Sequence, residues 1–146
     1  MFRRTSAALE VFLVHPGGPF WAKKDLGVWS IPKGEYAEGE STQEAAKREF
    51  REETGFEVEG DPFELGRVKQ AGGKLVSVWA VEGDCDAEKL VSNTCSIAWP
   101  PRSGRSSEIP EVDRGEWFAV EVARERIVKG QAPVLDLLIQ RVSAKN

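Results

Sequence analysis

Hydrophobic and polar positions divide the chain into short stretches of distinct period. From Ala7 to Val14 (AALEVFLV) nearly every position is apolar, which is the pattern of a strand covered on both faces. HPGGPF then supplies breakers, so 15–25 reads as loop. Val28 to Ile31 predicts a short strand that Pro32 and Gly34 end. Residues 42–54 follow a helical pattern. Ser41 and Glu44 form an S-x-x-E capping box at its start, and Gly55 stands where a left-handed C-terminal cap belongs. Phe63 to Lys69 and Leu75 to Val81 predict strands, with AGG at 71–73 as the turn between them. Beyond lie a short helix over Asp86 to Val91, a strand over Cys95 to Trp99, and a loop over Pro100 to Asp113, rich in Pro, Ser and charge. A strand over Trp117 to Val120 and a helix over Glu121 to Val128 follow. Pro133 suits the first position of a final helix, whose Val134, Leu135, Leu138, Ile139 and Val142 make one apolar stripe. Strands and helices in this mixed order predict an α/β fold, a mixed sheet with helices packed on it.

Composition narrows the functions available. The chain has 146 residues, which fits one domain with a real core. Its net charge of -4 argues against a nucleic-acid partner, which calls for a basic surface. Local charge can still hold a small phosphate ligand. Cys85 and Cys95 have neither CxxC nor zinc spacing and read as free thiols. His15 is the only histidine, so its expected role is structural and a Ser-His-Asp triad has little to stand on. Glu10 interrupts the early apolar run, with no small-residue cleavage site after it, so no secretion leader is read there. No run approaches the length that spans a membrane. A cytoplasmic location without membrane partners is the expectation.

The chemistry concentrates on the capped helix. On a 100° wheel Glu53 lies about +40° and Glu52 about -60° from Glu49, so the three share one face. Glu49 and Glu53 are a like-charge i, i+4 pair, and they crowd the negative end of the helix dipole. Three glutamates alone fit a solvated, ion-paired face. A hard divalent cation such as Mg²⁺ or Mn²⁺, which takes oxygen ligands, would also account for them. The preceding Trp29-Ser30-Ile31-Pro32-Lys33-Gly34 favours the second reading, because Gly34 lets backbone approach a ligand closely. Arg48 lies four residues from both Glu44 and Glu52 and can pair with either.

The spacing from Gly34 through Glu40 to Arg48-Glu49-Phe50-Arg51-Glu52-Glu53-Thr54-Gly55-Phe56 resembles the Nudix box, G-x5-E-x7-R-E-U-x-E-E-x-G-U, with every fixed position met over 34–56. The resemblance implies an α/β/α sandwich around a mixed β-sheet, and hydrolysis of a nucleoside diphosphate linked to another group with Mg²⁺ or Mn²⁺. It implies Glu49, Glu52 and Glu53 as metal ligands, joined by a backbone carbonyl at Lys33 or Gly34. Glu40 supports the site, Arg48 orients the carboxylates, and Gly34 and Gly55 shape the loop and the helix end. Glu52 or Glu53 can take the proton from water, or a later Glu can. Glu111 is the candidate there and Glu108 the alternative. Arg102 and Arg105 can grip phosphates bidentately, with Lys23, Lys24 and Lys33 as point charges; each also reads as a solvated loop cation. Trp29 and Trp99 can stack on a base or belong to the core. The early sheet is expected to be abbreviated compared with other Nudix proteins. The W-x-x-P-K-G lead-in resembles diadenosine polyphosphate hydrolases, so a dinucleoside polyphosphate or nucleoside triphosphate is the expected small-molecule partner. ADP-ribose, diphosphoinositol phosphates and a non-catalytic nucleotide sensor are the alternatives, and a homodimer is compatible with the chain.

Overall fold

A computed structural model describes residues 1–33, 39–69, 72, 73 and 75–144. Its elements are β1 (Phe2–Arg4), β2 (Leu9–Pro16), α1 (Thr42–Thr54), β3 (Phe63–Lys69), β4 (Leu75–Ala80), β5 (Thr94–Ala98), β6 (Ser106–Pro110), β7 (Val112–Ala119), α2 (Val120–Arg126) and α3 (Ala132–Ala144).

The apolar run becomes β2, the central strand. It pairs antiparallel with β1 on one side (Val11 opposite Phe2) and with β7 on the other (Leu13 opposite Glu116). Val11 through His15 are all buried, as a strand covered on both faces requires. Beyond β4 the chain runs parallel to β1. There the Phe2 N–H donates to the Val81 carbonyl at 3.0 Å and the Gly83 N–H to the Phe2 carbonyl at 3.0 Å. The sheet is therefore mixed. β3 and β4 form one antiparallel hairpin, and β5 and β6 another.

Helices cover both faces. The stripe of α3 predicted from periodicity is the buried one: Leu135, Leu138 and Val142 pack with Leu13, Trp29 and Phe118, and Val134 packs with Val68 and Val78. On the opposite face Phe50 of α1 meets Phe12 at 6.4 Å between ring centroids, beside Val14 and Val112.

Several sequence expectations need correction. Residues 106–110 form β6 within the expected loop. This strand is the outer half of a two-stranded hairpin, so only alternate positions, Ser107 and Ile109, are half-buried. A polar strand of that kind carries no hydrophobic run to announce it. β7 likewise starts at Val112, five residues ahead of the expected Trp117. β1 was not expected, because its Arg3 and Arg4 look like loop. They are held at the sheet by Glu10 at 2.7 Å and Glu82 at 2.8 Å. The expected strand at Val28 to Ile31 reduces to single bridges, Trp29 with Ile127 and Ser30 with Val14. The segment after Asp86 is one 3₁₀ turn, Ala87–Lys89. Pro133 takes the second position of α3. Among the described residues no helix is long and apolar enough to cross a membrane.

Candidate active site

The site is built on α1, and local chemistry fixes both its ends. The Glu44 N–H donates to the Ser41 hydroxyl at 3.1 Å, closing the cap. At the other end Gly55 adopts φ 78°, and its N–H donates to the Arg51 carbonyl at 2.7 Å. A Cβ at Gly55 would lie 2.9 Å from the Val91 carbonyl oxygen, so the residue is glycine for space as well as conformation. Carbonyls left over in the last turn are taken up by the following segment: the Asn93 N–H donates to Glu52 at 2.8 Å and the Val91 N–H to Thr54 at 3.0 Å. Burying Ala45 and Phe50 against the sheet then aims the carboxylate face inward.

That face is not uniform. Glu49 and Glu53 are buried, 9% and 6% exposed, whereas Glu52 stands at the edge. Arg48 ties them to the segment before the helix. Its Nε and Nη2 donate to the two oxygens of Glu40 at 2.8 and 3.0 Å, and its Nη1 donates to Glu49 at 2.6 Å and Glu52 at 3.1 Å. Arg48 thus grips Glu40 bidentately while bridging Glu49 and Glu52. Glu53 faces the other way and accepts the Lys33 backbone N–H at 3.1 Å.

Burial dominates the electrostatics. It lifts the Glu53 carboxyl from 4.5 to about 7, against the opposing pull of the Lys33 N–H and charge, with Glu111 and Glu49 pushing it further up. Burial also raises Glu49, opposed by Arg48 and reinforced by Glu52 and Glu111. Glu111 therefore sits close enough to act on both. It occupies the break between β6 and β7: its N–H donates to the Asn93 carbonyl at 2.9 Å, and its carbonyl accepts the Gly17 N–H at 2.9 Å. Asn93 thus links the end of α1 to Glu111 through its backbone. No side-chain signal marks that role in the sequence.

Lys33, Glu53 and Glu111 line a cleft of about 490 Å³. The rest of its lining is mostly apolar, with Val28, Ile97, Ile109 and Trp21 among it. That volume is in the range of small-molecule sites.

The remaining expected residues lie elsewhere. Trp29 does not offer a stacking face. It is 1% exposed, packed edge-to-face on Phe118 at 4.9 Å and His15 at 5.0 Å, and its Nε1–H donates to Asp25 at 2.9 Å. Arg102 and Arg105, with Trp99, lie in the turn joining β5 to β6. At strand spacing Arg105 stands roughly 20 Å from Glu111 along the hairpin, so the fold does not bring these arginines to the carboxylates. Glu108 accepts the Thr94 hydroxyl and belongs to the hairpin. Lys23 and Lys24 are exposed in the loop before Trp29, and Lys24 stacks on aromatic rings. Gly34 lies outside the described residues. The aromatic residue at the cleft is Trp21. Its one signal in the sequence is a large apolar pair, Phe20-Trp21, placed in a loop full of breakers.

Among the described residues no three carboxylates already converge at metal-ligand spacing, and Arg48 bridges Glu49 and Glu52. The donor set nonetheless fits a divalent cation. It consists of hard carboxylate oxygens, and burial, reinforced by the charge of neighbouring carboxylates, lifts Glu49 and Glu53 above the ordinary carboxylate range.

The model of the NUDIX domain matches residues 2–138. Among solved structures, the NUDIX domain of Shewanella oneidensis NrtR complexed with ADP ribose superposes at TM-score 0.66 with 19% identity, over 97% of this chain and 82% of that one. The C. elegans Ap4A hydrolase in a binary complex does so at TM-score 0.66 with 18% identity, over 98% and 94%. The E. coli ORF135 protein follows at TM-score 0.55 with 18% identity, over 98% and 87%. At these identities the structures attest the fold, while the family model spans nearly the whole chain and takes in the complete carboxylate helix. The chain belongs to the NUDIX domain family.

Proposed function

We propose that this protein hydrolyses a dinucleoside polyphosphate or a nucleoside triphosphate with Mg²⁺ or Mn²⁺, at the cleft that Glu53, Glu111 and Lys33 line. The observation that carries this reading is the pair of buried carboxylates Glu49 and Glu53, both lifted by burial and further by the neighbouring charge of Glu111, with Glu53 and Glu111 lining a cleft of nucleotide size. Glu49, Glu52 and Glu53 would hold the metal. Bound there, it would neutralise phosphate oxygens and acidify a water. The protein's own residues do the rest. Arg48 holds Glu40, Glu49 and Glu52 in fixed relation, so the donor oxygens need not reorganise when charge arrives. The Lys33 N–H fixes the rotamer of Glu53. Glu111 takes the proton as the water oxygen attacks phosphorus. The bridging P–O bond then breaks, and the electron pair leaves with the departing phosphate. Glu111 suits this role because it is exposed, whereas Glu53 is buried beneath it.

Lys33 is the one basic side chain among the described residues lining the cleft. That favours a short linear polyphosphate over a densely phosphorylated inositol. ADP-ribose shares the diphosphate and is separated from the favoured substrates by assay. A panel of dinucleoside polyphosphates, nucleoside triphosphates, nucleotide sugars and ADP-ribose, run with Mg²⁺, Mn²⁺ or EDTA, should show metal-dependent release from the first two classes. Turnover confined to ADP-ribose would replace the substrate, and no turnover on any member would sink the enzymatic reading.

A further inference from the structure

The geometry points to Trp21, backed by Phe20, as the stacking platform for the substrate's nucleobase in the catalytic cleft. This rests on the proposed nucleotide substrate and names the residue that would recognise it. The loop between β2 and Trp29 is held against the hairpin β5–β6 so closely that side chains would not fit. A Cβ on Gly17 would lie 2.0 Å from the Pro110 carbonyl oxygen, and one on Gly18, at φ 93°, 2.6 Å from Ile109 Cδ1. The Gly17 N–H reaches the Glu111 carbonyl, so this loop and the candidate base share one anchor. The far end is pinned by the buried His15, whose Nε2 lies 2.6 Å from the Lys24 carbonyl oxygen and whose Nδ1 lies 2.8 Å from Asp113. Within the loop the Lys24 N–H donates to the Trp21 carbonyl at 2.9 Å.

Between those anchors Phe20 and Trp21 meet edge-to-face at 4.7 Å, and Lys24 Nζ lies 4.1 Å from the Phe20 ring centroid and 5.1 Å from that of Trp21. Phe20 is 59% exposed and Trp21 36%. Leaving two large rings in water forfeits burial, and fixing them against each other beside a cation, with Trp21 on the cleft wall, makes a face for a planar, electron-rich partner. The cleft chooses the partner. Its lining joins Trp21, Ile97 and Ile109 with Lys33, Glu53 and Glu111, apolar surface and charged groups in one cleft. A base on Trp21 with its phosphates toward the carboxylates satisfies both kinds of lining. Stacking reads the π-face of any base, so the platform confers affinity for nucleotides as a class.

Two measurements test this. In protein labelled with ¹⁵N-tryptophan, the indole resonance of Trp21, identified by its loss in Trp21→Phe, should shift when AMP or GMP is added. Movement of other indoles with Trp21 unmoved overturns the inference, as does no movement at all. A Trp21 shift produced by changing protein concentration alone also overturns it, because a second copy would then be the occupant. In kinetics, Trp21→Ala should lower the preference for a nucleoside triphosphate over inorganic tripolyphosphate by about tenfold or more, and Trp21→Phe should restore most of it. Equal losses on both substrates would refute the platform and leave the hydrolase reading standing. If the wild type hydrolyses neither compound, the hydrolase reading falls, and the resonance titration alone decides the inference.

Discussion

Glu53→Gln should make the metal-free protein more stable and nearly inactive. Glu53 is buried in a low-dielectric site beside two other carboxylates, and its proton affinity rises from 4.5 to about 7. The native state thus holds this proton more tightly than the unfolded chain. Between pH 4.5 and 7 it binds more protons than the unfolded state, so unfolding free energy falls as pH rises through that window. Below the window the effect vanishes; above it the full cost applies. At about 1.4 kcal/mol per pH unit the cost reaches about 3 kcal/mol by pH 8. Glutamine removes the charge and keeps an oxygen for the Lys33 N–H, which now donates at 3.1 Å. Urea unfolding in EDTA should therefore place the variant's midpoint about 1.5 M above wild type at pH 8, for a slope of about 2 kcal/mol/M. The two midpoints should meet near pH 4.5. Saturating Mg²⁺ should stabilise wild type more than the variant, since the ion supplies the positive charge the site lacks. A variant no more stable than wild type at pH 8, or a gap that does not close toward acid, would refute the account of Glu53 as a buried, under-compensated carboxylate.

Other substitutions check the remaining parts. Glu111→Gln should lower kcat by about 10²-fold or more with KM little changed, and a near-wild-type kcat would remove Glu111 as the base. Arg48→Lys keeps the charge but loses the fork that grips Glu40 while reaching Glu49 and Glu52; kcat should fall at least about tenfold with the circular dichroism spectrum unchanged. Gly55→Ala forces a Cβ into the Val91 carbonyl at φ 78° and should cost about 1–2 kcal/mol, read as a lower Tm. Trp29→Ala should cost about 3–5 kcal/mol as a core deletion; a pure KM effect at wild-type stability would contradict its burial.

The sequence by itself determined α1 almost residue for residue, because everything that bounds it is local. The Ser41 hydroxyl reaches the third N–H ahead, and Gly55 alone tolerates the left-handed cap. The 3.6-residue period also sufficed to place Glu49, Glu52 and Glu53 on one face, and the apolar stripe of α3 was legible for the same reason. What the period does not encode is how deep that face lies. The packing of Phe50 on Phe12 buries Glu49 and Glu53 and leaves Glu52 at the edge, and burial raises the proton affinity of the first two. Likewise, nothing local distinguishes Glu111 from Glu108, or Trp21 from Trp29. β6 is polar because only alternate positions of it meet the protein. Its pairing with β5 leaves Glu108 on the hairpin and puts Glu111 at the hairpin's base, beside the end of α1. Trp29 is drawn inside by rings that arrive from β2 and β7, far away in sequence, while two glycines press the Trp21 loop onto β6. Capping and periodicity act over a few residues and can be read along the chain. Burial depends on what other segments bring to the same place, and only the tertiary structure decides that.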